Sequence, residues 1–108
     1  MGFQIGGTTL DFLVLAILRQ KDEYGYTLTQ QVQMILEVSE SAIYPALKRL
    51  QKNKMLSSYD SPFQGRNRRY YKITDLGLES LANYSIEWNE YKNKMDILLK
   101  GEFTNEDL

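Results

Sequence analysis

Residues 39–73 read SESAIYPALKRLQKNKMLSSYDSPFQGRNRRYYKI, and within them the hydrophobic period changes from that of a helix to that of strands. Ile43, Ala46, Leu47 and Leu50 recur at the spacing of one helix face. Tyr44, Lys48, Gln51 and Lys52 lie away from that face. Ser41 is the N-cap most compatible with Pro45, because proline costs least in a helix's first turn. A kinked helix starting from Ser39 is the alternative. Further on, residues 55–59 and 67–73 read as two short strands. The intervening residues 60–66 carry turn signals at Ser61-Pro62 and Gly65. The segment is thus a helix followed by a hairpin with a long basic tip. Alternation places Arg66, Arg68, Tyr70 and Lys72 on one face of the second strand, with Asn67, Arg69, Tyr71 and Ile73 on the other.

The same region concentrates positive charge. Residues 43–73 hold Lys48, Arg49, Lys52, Lys54, Arg66, Arg68, Arg69 and Lys72 against the single acid Asp60, a net +7. The remaining five cations and thirteen acids leave −8, so the total of −1 hides a strong asymmetry. A pI of about 5.4 argues against general affinity for polyanions. A basic face on an acidic body argues for oriented docking onto one. The competing reading is of scattered solubilising charges.

Outward from this segment the chain reads as helices. In residues 8–20, TTLDFLVLAILRQ, Thr8 or Thr9 is the expected cap and Asp11 suits the first turn. The run from Phe12 to Leu18 is apolar nearly all round, as in a helix buried on several sides. It is too short to span a bilayer. Residues 21–26 are a connector broken at Gly25, and a second helix starts near Thr27 or Leu28. Its stripe is Leu28, Val32, Ile35 and Leu36. A long final helix covers 75–100, capped by Thr74, with Asp75 in its first turn. There Leu81, Tyr84, Trp88, Tyr91, Met95 and Leu98 alternate at spacings of three and four, a heptad seam. Six such residues, three of them aromatic, are too many for a body of 108 residues to cover. Pairing across a two-fold axis would bury them, with Leu13 and Ile17 of the first helix in the same interface.

The expected fold is therefore mainly α with a small β-hairpin: a winged helix-turn-helix plus a long C-terminal dimerisation helix. The winged helix-turn-helix spans 1–73, the dimerisation helix 74–100 and a flexible acidic tail 101–108. A helix of this kind fits a DNA major groove about 12 Å wide. Ser39, Ser41, Tyr44 and Pro45, near its start, are placed for base edges. Lys48, Arg66, Arg68 and Lys72 are long cations suited to phosphates. Tyr44 has an alternative as a core aromatic, Arg69 as the partner of an acid such as Asp75 or Glu40, and Arg49 likewise as the partner of an acid. There is no cysteine and no histidine, which excludes disulfides, thiolate catalysis and imidazole ligation. No cofactor, no metal and no enzymatic activity are expected. No lysine or arginine precedes Arg19, so a signal peptide is not expected and the cytoplasm is the default compartment.

The block Ile43-Tyr44-Pro45-Ala46-Leu47-Lys48-Arg49-Leu50 resembles the PadR family of winged-helix transcriptional regulators. The block from Gly65 to Thr74, with Gly77, is similar to that family's wing. Tyr24-Gly25-Tyr26 and Glu87-Trp88 also match, and the resemblance runs from about Thr9 to Leu99. It implies a homodimer formed through the first and last helices, double-stranded DNA as partner, an inverted-repeat operator and repression. It also implies that a planar aromatic or drug-like ligand can bind at the dimer interface, here beside Phe12, Ala16, Tyr84 and Trp88. Interface packing alone is the other reading of Trp88. Two positions depart from the family pattern. Asn67 stands where proline is frequent, and Lys54 stands where glycine commonly ends the third helix. The second departure shifts the left-handed cap to Asn53 or removes it. A winged-helix adaptor that binds proteins is the alternative function.

Overall fold

The computed structural model of the chain describes residues 6–101. Along them run α1 (Gly7–Gln20), β1 (Glu23–Tyr24), α2 (Gly25–Ile35), α3 (Glu40–Lys52), β2 (Leu56–Phe63), β3 (Arg66–Ile73) and α4 (Asp75–Lys100). From residue 102 onward the expected tail lies outside the described residues. The hairpin β2–β3 is joined by β1 on the far side of β3, giving an antiparallel sheet of order β1-β3-β2. The fold is a winged helix, mainly α, with a long C-terminal helix.

Three helices and one face of the sheet enclose the core. Leu10, Val14, Leu15 and Leu18 enter it from α1, and Leu28 and Val32 from α2. The whole stripe read on α3, Ile43, Ala46, Leu47 and Leu50, is buried. Leu56 of β2 and Leu81 of α4 close it. Burying a side chain of this size contributes about 1.5–3 kcal/mol.

Several local expectations are corrected. α1 starts at Gly7 on an N-cap Gly6 without any side-chain cap bond, so neither Thr8 nor Thr9 caps it. Asp11 lies beyond the first turn and is drawn instead into a two-pronged bond with Arg49 of α3, at 2.7 and 3.1 Å. The connector at 21–26 contains β1, and α2 begins at Gly25 rather than Thr27. A strand of two residues has no period to read. Ile35 ends α2 pointing outward at 82 % exposure, so the α2 stripe stops at Val32, with Leu36 half-buried. Ser39, not Ser41, occupies the N-cap of α3; its Oγ meets Ser41 Oγ at 2.9 Å. Pro45 therefore sits inside the helix and leaves the Ser41 carbonyl without its usual donor. Its ring is exposed on the outer side of the helix. The long tip shrinks to two residues, Gln64 and Gly65, both with positive φ (50° and 79°), the requirement of a tight hairpin turn whose twist matches its strands. Asn67 pairs with Pro62 in the ladder just before that turn.

The end of α3 and the start of α4 meet at Lys54 and Met55. Asn53 is not left-handed; Lys54 is, at φ 61°. Its N–H donates to the Gln51 carbonyl and that of Met55 to the Leu50 carbonyl, closing the helix with crossed bonds. The freed carbonyls then serve α4. Lys54 O accepts from Thr74 Oγ1 at 2.7 Å, and Met55 O accepts from Thr74 N at 3.0 Å. Thr74 Oγ1 in turn accepts from Gly77 N, the expected cap. At Gly77 any Cβ would overlap the Met55 carbonyl oxygen. α4 is packed against α1 only over its first turns, and the molecule extends to 64 Å along its longest axis against 33 and 21 Å on the others.

Glu23 is the one buried acid among the described residues, 5 % exposed. Burial pushes its pKa upward, but the Thr27 hydroxyl, the Gln31 side chain and the Lys21 charge outweigh this and hold it below the ordinary 4.5. The Thr27 bond to Oε2 is 2.7 Å long.

Three expectations follow from this packing. Lys54→Gly relieves a left-handed lysine and is expected to add about 0.5–1 kcal/mol, raising Tm by several degrees, whereas Lys54→Ala does not. Gly77→Ala forces α4 off the Met55 carbonyl and is expected to cost more than about 2 kcal/mol in urea unfolding. Glu23's depressed pKa stabilises the fold fully above its ordinary value, and that contribution disappears as pH falls through the lowered folded value. Glu23→Gln should therefore flatten the wild type's loss of stability on acidification below about pH 4.5.

Candidate nucleic-acid interface

Burying one side of α3 forces its other side outward. Ser41, Tyr44, Pro45, Lys48, Gln51 and Lys52 share that outer side and are exposed, with Ser39 at its entry. Gln51 donates to Ser58 Oγ at 2.9 Å, tying the helix to β2. Arg49, at the flank, is held by Asp11 and is not part of this polar surface.

Tyr44 is neither a core aromatic nor an unsupported one. It is 52 % exposed, and its ring lies against Gly25, where a Cβ would come within 2.9 Å of its hydroxyl. Gly25 thus provides a seat for the tyrosine at the start of α2. Neither the reading of Gly25 as a break nor its place in the Tyr24-Gly25-Tyr26 match reveals that pairing.

The wing supplies the cations. Register places Ser57, Tyr59, Ser61 and Phe63 of β2 opposite Lys72, Tyr70, Arg68 and Arg66 of β3, all on the outer face. Tyr24 of β1 joins them opposite Tyr70. Tyr71 and Ile73 face inward against the core. Burial raises the pKa of Tyr71, so its phenol stays neutral. Arg66 and Lys72 are exposed, but Arg68 is half-buried. Arg69 faces away and meets neither Asp75 nor Glu40; its partner is Asp60, 3.6 Å away and well exposed, a pair of little energetic weight.

The outer face also holds an aromatic group that sequence reading missed. Tyr70 stacks on Tyr59 at 5.6 Å and meets Tyr24 edge-on at 5.7 Å. Tyr59 donates to Asp22 Oδ2 at 2.7 Å, and that bond is the main cause of its raised pKa. The signal was present in the alternation of Ser57, Tyr59, Ser61 and Phe63, which a shorter expected strand cut off.

On α4 the expected seam divides. Leu81 is buried in the chain's own core, so it is not part of an open stripe. Tyr84 is half-buried, stacked on Phe12 with centroids 4.1 Å apart and rings 7° from parallel, and donates to Thr9 Oγ1 at 3.0 Å. Those two rings fill each other's faces, leaving no slot between them for a planar ligand. Beyond Tyr84, Trp88, Tyr91 and Leu98 are at least half exposed, and Met95 is partly covered. Trp88 and Tyr91 lie 6.3 Å apart. On α1, Leu13, Ala16 and Ile17 line an apolar groove of about 280 Å³ with Val32 and Ile35 of α2 and Leu36 just past its end. Ala16 thus opens onto the α2 side. Among the described residues no helix is long and apolar enough to cross a membrane.

Comparison with known proteins places this geometry. The profile of the transcriptional regulator PadR-like family matches residues 14–83. A solved protein of Streptococcus mutans UA159 is 36% identical, with a TM-score of 0.88 over 97% of this chain and 99% of that one. A PadR family transcription regulator of Clostridium difficile R20291 is 35% identical, with a TM-score of 0.79 over 83% of this chain and 97% of that one. A PadR-like transcriptional regulator of Bacillus cereus ATCC 14579 is 35% identical, with a TM-score of 0.77 over 85% and 92% of the two chains. An uncharacterized protein of Lysinibacillus sphaericus is 31% identical over 97 residues, 85% of this chain and 89% of that one.

Proposed function

The chain belongs to the PadR-like family of transcriptional regulators, and from that premise we propose that it is a cytoplasmic, dimeric, sequence-specific DNA-binding repressor without enzymatic activity. The observation that carries the reading is the division of α3: a fully buried apolar stripe behind, and an exposed front of Ser41, Tyr44, Pro45 and Lys48. Ser39, Ser41 and Tyr44 are the candidates for base edges, since short or directional donors near a recognition helix's start reach them. Lys48, Arg66 and Lys72 are the candidates for phosphates.

Dimerisation is supported by α4. Trp88, Tyr91, Met95 and Leu98 extend past the part of the helix that packs on its own chain, and Leu13 and Ile17 offer a matching apolar groove. Two copies related by a two-fold axis would present two reading helices to an inverted repeat, with half-sites about 34–36 Å apart. A planar aromatic effector at that interface would use Trp88, with Tyr91 beside it, rather than the closed Phe12–Tyr84 stack. Its binding would shift the population of wing arrangements and relieve repression.

Duplex selection from a random pool, followed by titration of the selected site against salt, tests the reading. Each phosphate contact contributes a slope of about −0.9, so Arg66→Gln or Lys72→Gln, made in both protomers, should flatten the slope by roughly 1.8. Sedimentation should give a dimer at micromolar concentration, and Trp88→Asp should give a folded monomer with much weaker operator binding. A monomeric wild type that ignores duplex DNA at low salt defeats the proposal. Unchanged duplex affinity in the two wing variants would instead favour the adaptor.

A further inference from the structure

β1 is too short to support the whole wing. Its two residues pair with Tyr71 and Tyr70, so from Arg69 to the turn the hairpin is a two-stranded ribbon. Ribbons of that kind are marginal on their own in water. Arg68 lies on that unsupported stretch. Its guanidinium carbon is 4.4 Å from the centre of the Tyr24 ring and 4.1 Å from the centre of the Phe63 ring. Tyr24 belongs to β1, Arg68 to the central strand, and Phe63 is the last residue of β2 before the turn. One side chain therefore spans all three strands.

A guanidinium is suited to this place. It is planar, weakly hydrated and able to stack on aromatic faces, whereas an ammonium is a compact, strongly hydrated point charge. Turning Arg68 toward a phosphate would give up both ring contacts. Arg66 and Lys72, on the same face and exposed, have no such engagement. We propose that Arg68 is a positioning residue for the wing, clamping the turn end of β2 to β1 across β3, and not a phosphate ligand. Its effect on DNA is indirect, through the placement of Arg66 and the Gln64-Gly65 turn. The inference rests on the DNA-binding reading above for its functional part.

The experiment uses the full chain. Arg68→Gln, Phe63→Leu, their double variant and Arg66→Gln are titrated with the selected duplex across a salt series. Arg68→Gln and Phe63→Leu are expected to weaken binding to a similar extent, about three- to tenfold, and to change the salt slope alike, although only the first removes a charge. The double variant should be no weaker than Arg68→Gln alone, because both changes open one clamp. Arg66→Gln should flatten the slope. NMR of the unbound wild type should show the Arg68 Hδ resonances shifted upfield by the two rings and restored toward ordinary positions in Phe63→Leu. A slope flattened by Arg68→Gln with wild-type binding by Phe63→Leu overturns the clamp, as do Arg68 Hδ resonances at ordinary positions. If the wild type retains no duplex at low salt, the DNA reading fails, and the resonance positions alone decide for or against the clamp.

Discussion

The arrangement of this protein depends on a single crossing of backbone. Two consecutive carbonyls, those of Lys54 and Met55, receive the hydroxyl and the amide of Thr74. Gly77 lies so close to the second of them that no side chain fits. The same two residues end α3 and lead into β2. α3, the wing and the long final helix thus radiate from one point. A shift there would change the angles among all three at once. The hydrogen bonds are individually modest, about 0.5–1.5 kcal/mol each, but buried backbone groups left unpaired cost more. The left-handed lysine is tolerated because the crossed bonds around it leave few alternatives.

Packing and charge divide the work between the two ends of the chain. Near the junction, leucines from α1, α2 and α3 fill the interior, and a short ion pair joins α1 to α3 through Asp11 and Arg49. A two-pronged arginine–carboxylate contact fixes direction as well as distance. Away from the junction, α4 runs outward with Trp88 and Tyr91 at least half exposed. Eight of the thirteen lysines and arginines lie in residues 43–73, which span α3 and the wing, while thirteen of the fourteen acids lie outside that stretch. That separation gives an approaching polyanion one favourable orientation.

Much of this was legible in the residues, and the failures have physical causes. The stripe of α3 was read in full because burial on one side imposes a helical period on apolar residues. The capping of α4 was equally clear, since Thr74 and Asp75 are the residue types that satisfy a helix start. The family blocks pointed to the winged-helix fold that comparison then established. β1 was missed because two residues cannot show alternation. Ile35 was misassigned because periodicity does not say where a helix ends. The wing tip was drawn too long because Pro62 was read as a turn residue. An edge strand accepts proline where its missing donor would face outward. The engagement of Arg68 was invisible, since both rings come from other strands. The separation of Leu81 from the rest of its heptad was also hidden, because seam spacing does not distinguish a chain's own core from a partner's surface.

Pro62 has one more effect. β2 lies at the margin of the sheet, a place where bare amides and carbonyls would otherwise recruit a strand from a neighbouring molecule. The proline removes an amide from that margin and breaks the row of donors that a strand from another molecule would need. Edge-to-edge fibre growth along β2 is thereby disfavoured.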